Sequence, residues 1–176
     1  MSPKITPRAA RAAAASAALA LLAACAAPGE GGLGGGATVF DVRPISSADE
    51  ALASSRSGGL PVEVQGGDAA ATAARLSTPQ RLGGGGFAPV PAGSDGSRLV
   101  FAFGSASPES LCAGSGPVAA GAGEATAAWC LNDRVIASAR GRSAAFAGPE
   151  APGFERAASQ LLRPMLAPYR GSSRRS

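Results

Sequence analysis

From residue 38 onward, short runs of alternating apolar and polar residues are interleaved with runs of helical period, and clusters of Gly, Pro and Ser separate them. Thr38–Arg43 (TVFDVR) reads as a first strand with Phe40 and Val42 on one face. Ser47-Ala48-Asp49-Glu50 matches a capping box, Ser47 as N-cap and Glu50 three residues on, and predicts a helix to about Ser55. Leu60–Gln65 (LPVEVQ) alternates strictly, placing Leu60, Val62 and Val64 inward and Pro61, Glu63 and Gln65 outward. Pro61 has no N–H for a ladder bond, which assigns it to a strand start or an edge. Asp68 caps a second helix, Ala69 to about Ser77, which Pro79 ends. Leu99–Phe103 (LVFAF) is the most apolar short run after the N-terminal segment and reads as a central strand buried on both faces. Ala125–Leu131 and Val135–Gly141 form a hairpin turning at Asn132-Asp133-Arg134, with Trp129 and Leu131 on one face and Cys130 on the other. A last helix from Phe154 gathers Phe154, Ala157, Ala158, Leu161, Leu162 and Met165 on one side, and Pro164 ends or kinks it.

The predicted order is β-α-β-α-β-β-β-α, an α+β fold with a small mixed sheet and helices on one face. Residues 83–96 and the stretch around Cys112 are rich in Gly, Ser and Pro and read as loops. The expected core is Phe40, Leu60, Val62, Val64, Leu76, Leu99, Phe101, Phe103, Trp129, Leu131, Val135, Ile136, Phe154, Leu161 and Leu162. That core is thin, because aromatic residues make up only 5% of a 176-residue chain that holds 25 glycines and 14 prolines. The length suits one domain.

The N-terminus follows a different pattern. Lys4, Arg8 and Arg11 precede a largely apolar stretch from Ala12 to Ala24, thirteen residues long with Ser16 its single polar residue. A spanning helix needs about 20 such residues, so the run has the length of a secretory signal. It ends in Leu22-Ala23-Ala24-Cys25, which resembles the lipobox of bacterial lipoproteins. The resemblance covers the first 25 residues and implies that Cys25 is lipidated and becomes the first residue of the mature chain. Several acyl chains, each buried methylene contributing about 0.8 kcal/mol, hold a protein firmly to a membrane. Ala26 and Ala27 follow Cys25, with no Asp at the second mature position, which favours the outer membrane of the bacterial envelope over the inner. The expected organisation is a signal peptide over 1–24 and a lipidated Cys25 with a Gly-rich tether over 25–36. A single domain over 37–168 and a basic tail over 169–176 follow. Gly29-x-Gly31-x-x-Gly34 matches a dinucleotide-binding string, but it follows no strand and lies in a run where glycine is frequent; a tether of about 11 residues, with a reach of roughly 17–20 Å, accounts for it.

Processing also changes the charge. The whole chain carries a formal charge of +4, but three of its 16 basic residues lie in the signal and three (Arg170, Arg174, Arg175) in the last seven residues. Ten arginines then face all 12 acids between residues 26 and 169. No basic stripe is left to track a phosphate backbone, and a nucleic-acid partner is not expected. With Cys25 acylated, Cys112 and Cys130 form an even pair in an oxidising compartment and are expected to join as a disulfide. Closing a loop of about 19 residues stabilises by roughly 3 kcal/mol in the chain-entropy description.

Candidate chemistry is sparse. The chain has no histidine, which removes histidine metal sites and every nucleophile–histidine pair, and two thiols without C-x-x-C spacing make neither a zinc site nor a redox couple. Asp49-Glu50 are adjacent on a helix and do not converge. The helix start after Gln65-Gly66-Gly67 carries Asp68 as its own anion. Ser105, Ser107 and Ser110 follow the central strand, but with neither a G-x-S-x-G elbow nor a base. No cofactor or metal site is expected. The expectation is a membrane-anchored, periplasm-facing envelope lipoprotein with a non-enzymatic accessory, structural or protein-interaction role, attached to the membrane through Cys25 and to an envelope protein partner. The alternative is a module that binds a lipid or small hydrophobic ligand for an envelope transport or assembly system.

Overall fold

A computed structural model describes residues 36–45, 59–78, 85–115, 118–119, 121 and 123–167. The signal, Cys25, nearly all of the tether, the helix expected over 47–55 and the basic tail lie outside these residues. The described part is a mixed α+β unit built on six strands: β1 (Thr38–Arg43), β2 (Leu60–Gln65), β3 (Phe87–Pro89), β4 (Ser97–Phe103), β5 (Glu124–Leu131) and β6 (Arg134–Arg142). Three helices accompany them, α1 (Ala69–Arg75), α2 (Pro108–Cys112) and α3 (Phe154–Leu166), with a 3-10 turn at Ala144–Ala147. No helix among the described residues is long and apolar enough to cross a membrane.

The spatial order is β1-β6-β5-β4-β2-β3. β1, β6, β5 and β4 pair antiparallel in succession, while β2 is parallel to both β4 and β3. β4 is therefore central, as its unbroken apolar run implies, and β2 is an inner strand. Pro61 fits there because the β4 ladder opens only at the next residue, Val62 opposite Leu99. β3 lies within the stretch expected to be loop; three residues are too few to show a period of two. The β5–β6 hairpin turns as expected at Asn132, whose φ of 53° falls where asparagine is tolerated best after glycine.

The first face of the sheet carries the main core. Leu60, Val62, Leu99, Phe101, Trp129 and a row of alanines (Ala125, Ala127, Ala137, Ala139) pack under α3, α1 and the 3-10 turn. The small strand residues and the large helical ones are complementary: a Cβ on Gly141 would come within 3.0 Å of Leu161 and 3.3 Å of Phe146, so α3 lies close against the sheet. Phe101 makes edge-on contacts with Phe103, Phe146 and Phe154 at centroid distances of 5.2, 6.3 and 5.9 Å, which concentrates the few aromatics at one point. α3 runs two residues past Pro164 before it ends at Leu166.

The second face corrects two expectations. α2 packs there, with Leu111 and Cys112 against Val100, Ala102, Ala128, Cys130 and Val135, so the helices are not confined to one face. Glu63, expected outward in solvent, is 1% exposed. The loop from β3 to β4 must pass β2 to reach its other side, and Gly93 N–H donates to Glu63 Oε2 at 3.0 Å on the way, covering the carboxylate. A third correction concerns β1, where the register shifts between Phe40 and Arg43 and Asp41 takes a φ of 50°. The bulge breaks the alternation: Val42 is 40% exposed, and Phe40 lies beneath the Arg140 guanidinium instead of in the core.

α1 behaves as its sequence implies, although it ends at Arg75 and not at Ser77. The Asp68 carboxylate accepts from Ala71 N–H at 2.7 Å. Asp68→Ala is expected to lower stability by about 1 kcal/mol, the common cost of a lost N-cap, read as a shift in the urea midpoint at unchanged slope.

Candidate functional site

The polar positions of β6 define a groove on the second face. Ala137, Ala139 and Gly141 point to the main core, which leaves Ser138 and Arg140 opposite, beside Ala128 and Thr126 of β5. The chain between β4 and α2 forms the facing wall. Gly104 there has a φ of 137°, and any Cβ would strike Val118 and Ala119, so this turn requires glycine. Thr126 then pins it, its hydroxyl donating to the Gly104 carbonyl at 3.2 Å. Ser105 exchanges two backbone hydrogen bonds with Ala119, both 3.0 Å. The bulge of β1 supplies Asp41 at the mouth. The result is an open groove of about 580 Å³ lined by Asp41, Ser105, Ala106, Ser107, Pro108, Ser138 and Arg140.

Arg140 dominates it. One terminal nitrogen donates to Ser105 Oγ at 2.5 Å, the other reaches Asp41 Oδ2 at 3.3 Å, and the guanidinium carbon sits 5.5 Å from the centre of the Phe40 ring. The Asp41 contact is long and single, and the carboxylate side chain is 64% exposed, so the pair contributes little by itself. Ser138 is 4% exposed and lines the groove. Nearby, a hydrogen bond from Arg142 holds the Glu124 carboxyl below the ordinary carboxylate range against the opposing effect of burial, and the Arg142 and Arg140 charges and the Ser105 hydroxyl add to the lowering. Arg142 is thus the main partner of Glu124, while Arg140 is the cation that lines the groove.

A second polar network, centred on a buried ion pair, lies on the same sheet face toward the hairpin end. Arg98 Nε donates to Glu63 Oε2 at 3.0 Å, with the two side chains 2% and 1% exposed. The remaining Arg98 nitrogens donate to the Asn132 carbonyl at 3.0 Å and the Cys112 carbonyl at 2.9 Å. Gln65 donates to the other Glu63 oxygen at 2.7 Å. These contacts tie β2, β4, the hairpin turn and α2 together around an ion pair whose two side chains are almost wholly buried.

The residues singled out from sequence fare differently. Cys112 and Cys130 are joined by a disulfide, Cα–Cα 5.4 Å, and both are fully buried. Cys25 and the Asp49-Glu50 pair lie outside the described residues. Asp68 occupies its own helix start. Ser105 and Ser107 do reach the groove: Ser105 accepts from Arg140, while Ser107 accepts from Ser110 N–H at 3.2 Å and donates to Glu109 at 3.2 Å, the bonding of a helix cap. Ser110 donates to the Ser107 carbonyl at 2.8 Å. Among the described residues no cluster of three or more His, Cys, Asp or Glu side chains is placed to hold a metal ion. Arg140, Ser138 and Asp41 were not legible as a set, since they come from two strands about a hundred residues apart. The polar alternation of Ser138, Arg140 and Arg142 was the one available signal.

Compared with known protein families, curated proteins and solved structures, the chain matches none.

Proposed function

We propose that this protein is a lipid-anchored component of a bacterial cell envelope, facing the periplasm, that serves as a non-enzymatic accessory protein by holding a polar partner. The observation that carries the anchoring is the sequence Leu22-Ala23-Ala24-Cys25 at the end of a largely apolar stretch of thirteen residues. The Cys112–Cys130 disulfide supports an oxidising compartment, where such bonds persist. The serine, arginine and aspartate lining of the groove supports contact with a polar group in preference to an acyl chain, whose sites are mostly apolar.

Anchoring has a direct test. Labelled palmitate fed to cells expressing the chain is expected to enter the wild type and not Cys25→Ser, and the variant is expected to move from the membrane fraction to the soluble periplasmic fraction. Labelling of the Ser variant, or an unmodified Cys25 in the mass spectrum of the membrane-associated wild type, would refute the reading.

A further inference from the structure

We infer that the Arg140 groove is a binding subsite for a carboxylate group, entered by exchange with Asp41. The inference deepens the interaction role proposed above and rests on it only for the ligand's origin, not for the site.

Three observations converge. First, the Arg140 guanidinium lies over the Phe40 ring and donates to Ser105, so its direction is set before a ligand arrives. A planar fork of donors in a fixed direction suits a carboxylate, which can accept two parallel bonds. Second, the group now in that position is itself a carboxylate, and a weakly held one: Asp41 makes a single 3.3 Å contact from a mostly exposed side chain. Its backbone, at φ 50° in a bulge, is the kind of irregularity that re-aims a side chain at a site. Third, Ser138, only 4% exposed, lines the groove. Its hydroxyl stands two residues from Arg140 on the same sheet face, within the groove a ligand would enter.

The electrostatics fit exchange and not simple addition. Arg142 is the direct ion-pair partner of Glu124, and the carboxylate in direct contact with Arg140 before binding is that of Asp41. A free anion added to that pair would meet the Asp41 charge. An incoming carboxylate that replaces Asp41 leaves Arg140 with one directly contacting anionic partner throughout, and improves the geometry from one long contact to two short ones, with the Ser138 hydroxyl in the same groove. Asp41 then swings to solvent or toward a cationic group on the same ligand.

The test uses the complete mature chain carrying Cys25→Ser, titrated with N-acetylglycine and with N-acetylglycinamide at matched ionic strength. Backbone amide NMR shifts of Asp41, Ser105 and Ser138 provide the readout. The carboxylate probe is expected to shift these amides saturably and the amide probe is not. Asp41→Asn, a change at an exposed position, is expected to raise the affinity for N-acetylglycine by up to about tenfold by removing the competitor. Arg140→Gln is expected to abolish the saturable shift, and Ser138→Ala to weaken it several-fold. Weaker binding in the Asp41→Asn variant would overturn the exchange, because Asp41 would then be a ligand contact. Equal response to both probes, or none from either in wild type and Asp41→Asn alike, would overturn the carboxylate subsite. Membrane anchoring is read separately from palmitate labelling, so failure here leaves that result standing, and the reverse.

Discussion

Replacing Arg98 with methionine is expected to destabilise the folded unit by about 3–5 kcal/mol, the cost typical of removing one partner from a buried ion pair. The residue is 2% exposed and uses all three guanidinium nitrogens. Without it, the Glu63 carboxylate keeps only the Gly93 and Gln65 donors, and the Asn132 and Cys112 carbonyls lose theirs, inside a region closed to water. Each stranded group carries a desolvation cost. For a domain of this size the change corresponds to a fall in Tm of roughly 10–20 °C. Glu63→Met is expected to be at least as damaging, because it strands the cation. The double variant Glu63→Met/Arg98→Met is expected to recover most of the loss, since an apolar pair of similar volume no longer has charges to bury. Urea unfolding of the four proteins closes the cycle. A single Arg98→Met variant within about 1 kcal/mol of wild type would show that water reaches the pair.

The second large effect belongs to the disulfide. Cys112→Ala/Cys130→Ala is expected to lose about 3 kcal/mol, from a closed loop spanning 18 positions. The loss has a local component, because α2 is only five residues long and is held to the sheet by Leu111 packing, by the bridge and by the Arg98 bond to the Cys112 carbonyl. Hydrogen exchange in α2 is therefore expected to accelerate more than in α3. Both sulfurs are fully buried, so dithiothreitol is expected to reduce the bridge only as fast as the protein opens, and reduction should follow denaturant concentration. Free thiols in the native protein, or a double variant as stable as its parent, would refute the bridge's role.

Both predictions concern one face of the sheet, where the sequence was read least well. Strict alternation in Leu60–Gln65 correctly sent Leu60 and Val62 to the core, but it also sent Glu63 to solvent. Alternation reports which residues share a face, not whether that face is covered. The covering depends on the loop that carries Gly93 past β2 and on α2 lying against the second face, and neither has a periodic signature of its own. Arg98, the last residue before the apolar run of β4, showed nothing in sequence to distinguish it from an arginine at a strand end. The same limit applies to the groove: Ser105 and Ser107 were visible as serines after a central strand, whereas Arg140 and Asp41 meet only because β1 closes the sheet against β6.

By itself the sequence determined what is set locally. The mixed α+β composition, the central strand, the hairpin at Asn132, the Asp68 cap and the apolar stripe of α3 each follow from a few neighbouring residues and the geometry of strand or helix. The cysteine pairing also followed, because once Cys25 is set apart only two thiols are left. The tertiary structure alone decided the rest: the parallel placement of β2 between β3 and β4, the bulge that turns Asp41 toward Arg140, and the burial of Glu63 with Arg98. These depend on which distant segments come to lie against one another, and such contacts are selected by the packing of the whole unit and not by the period of any one stretch.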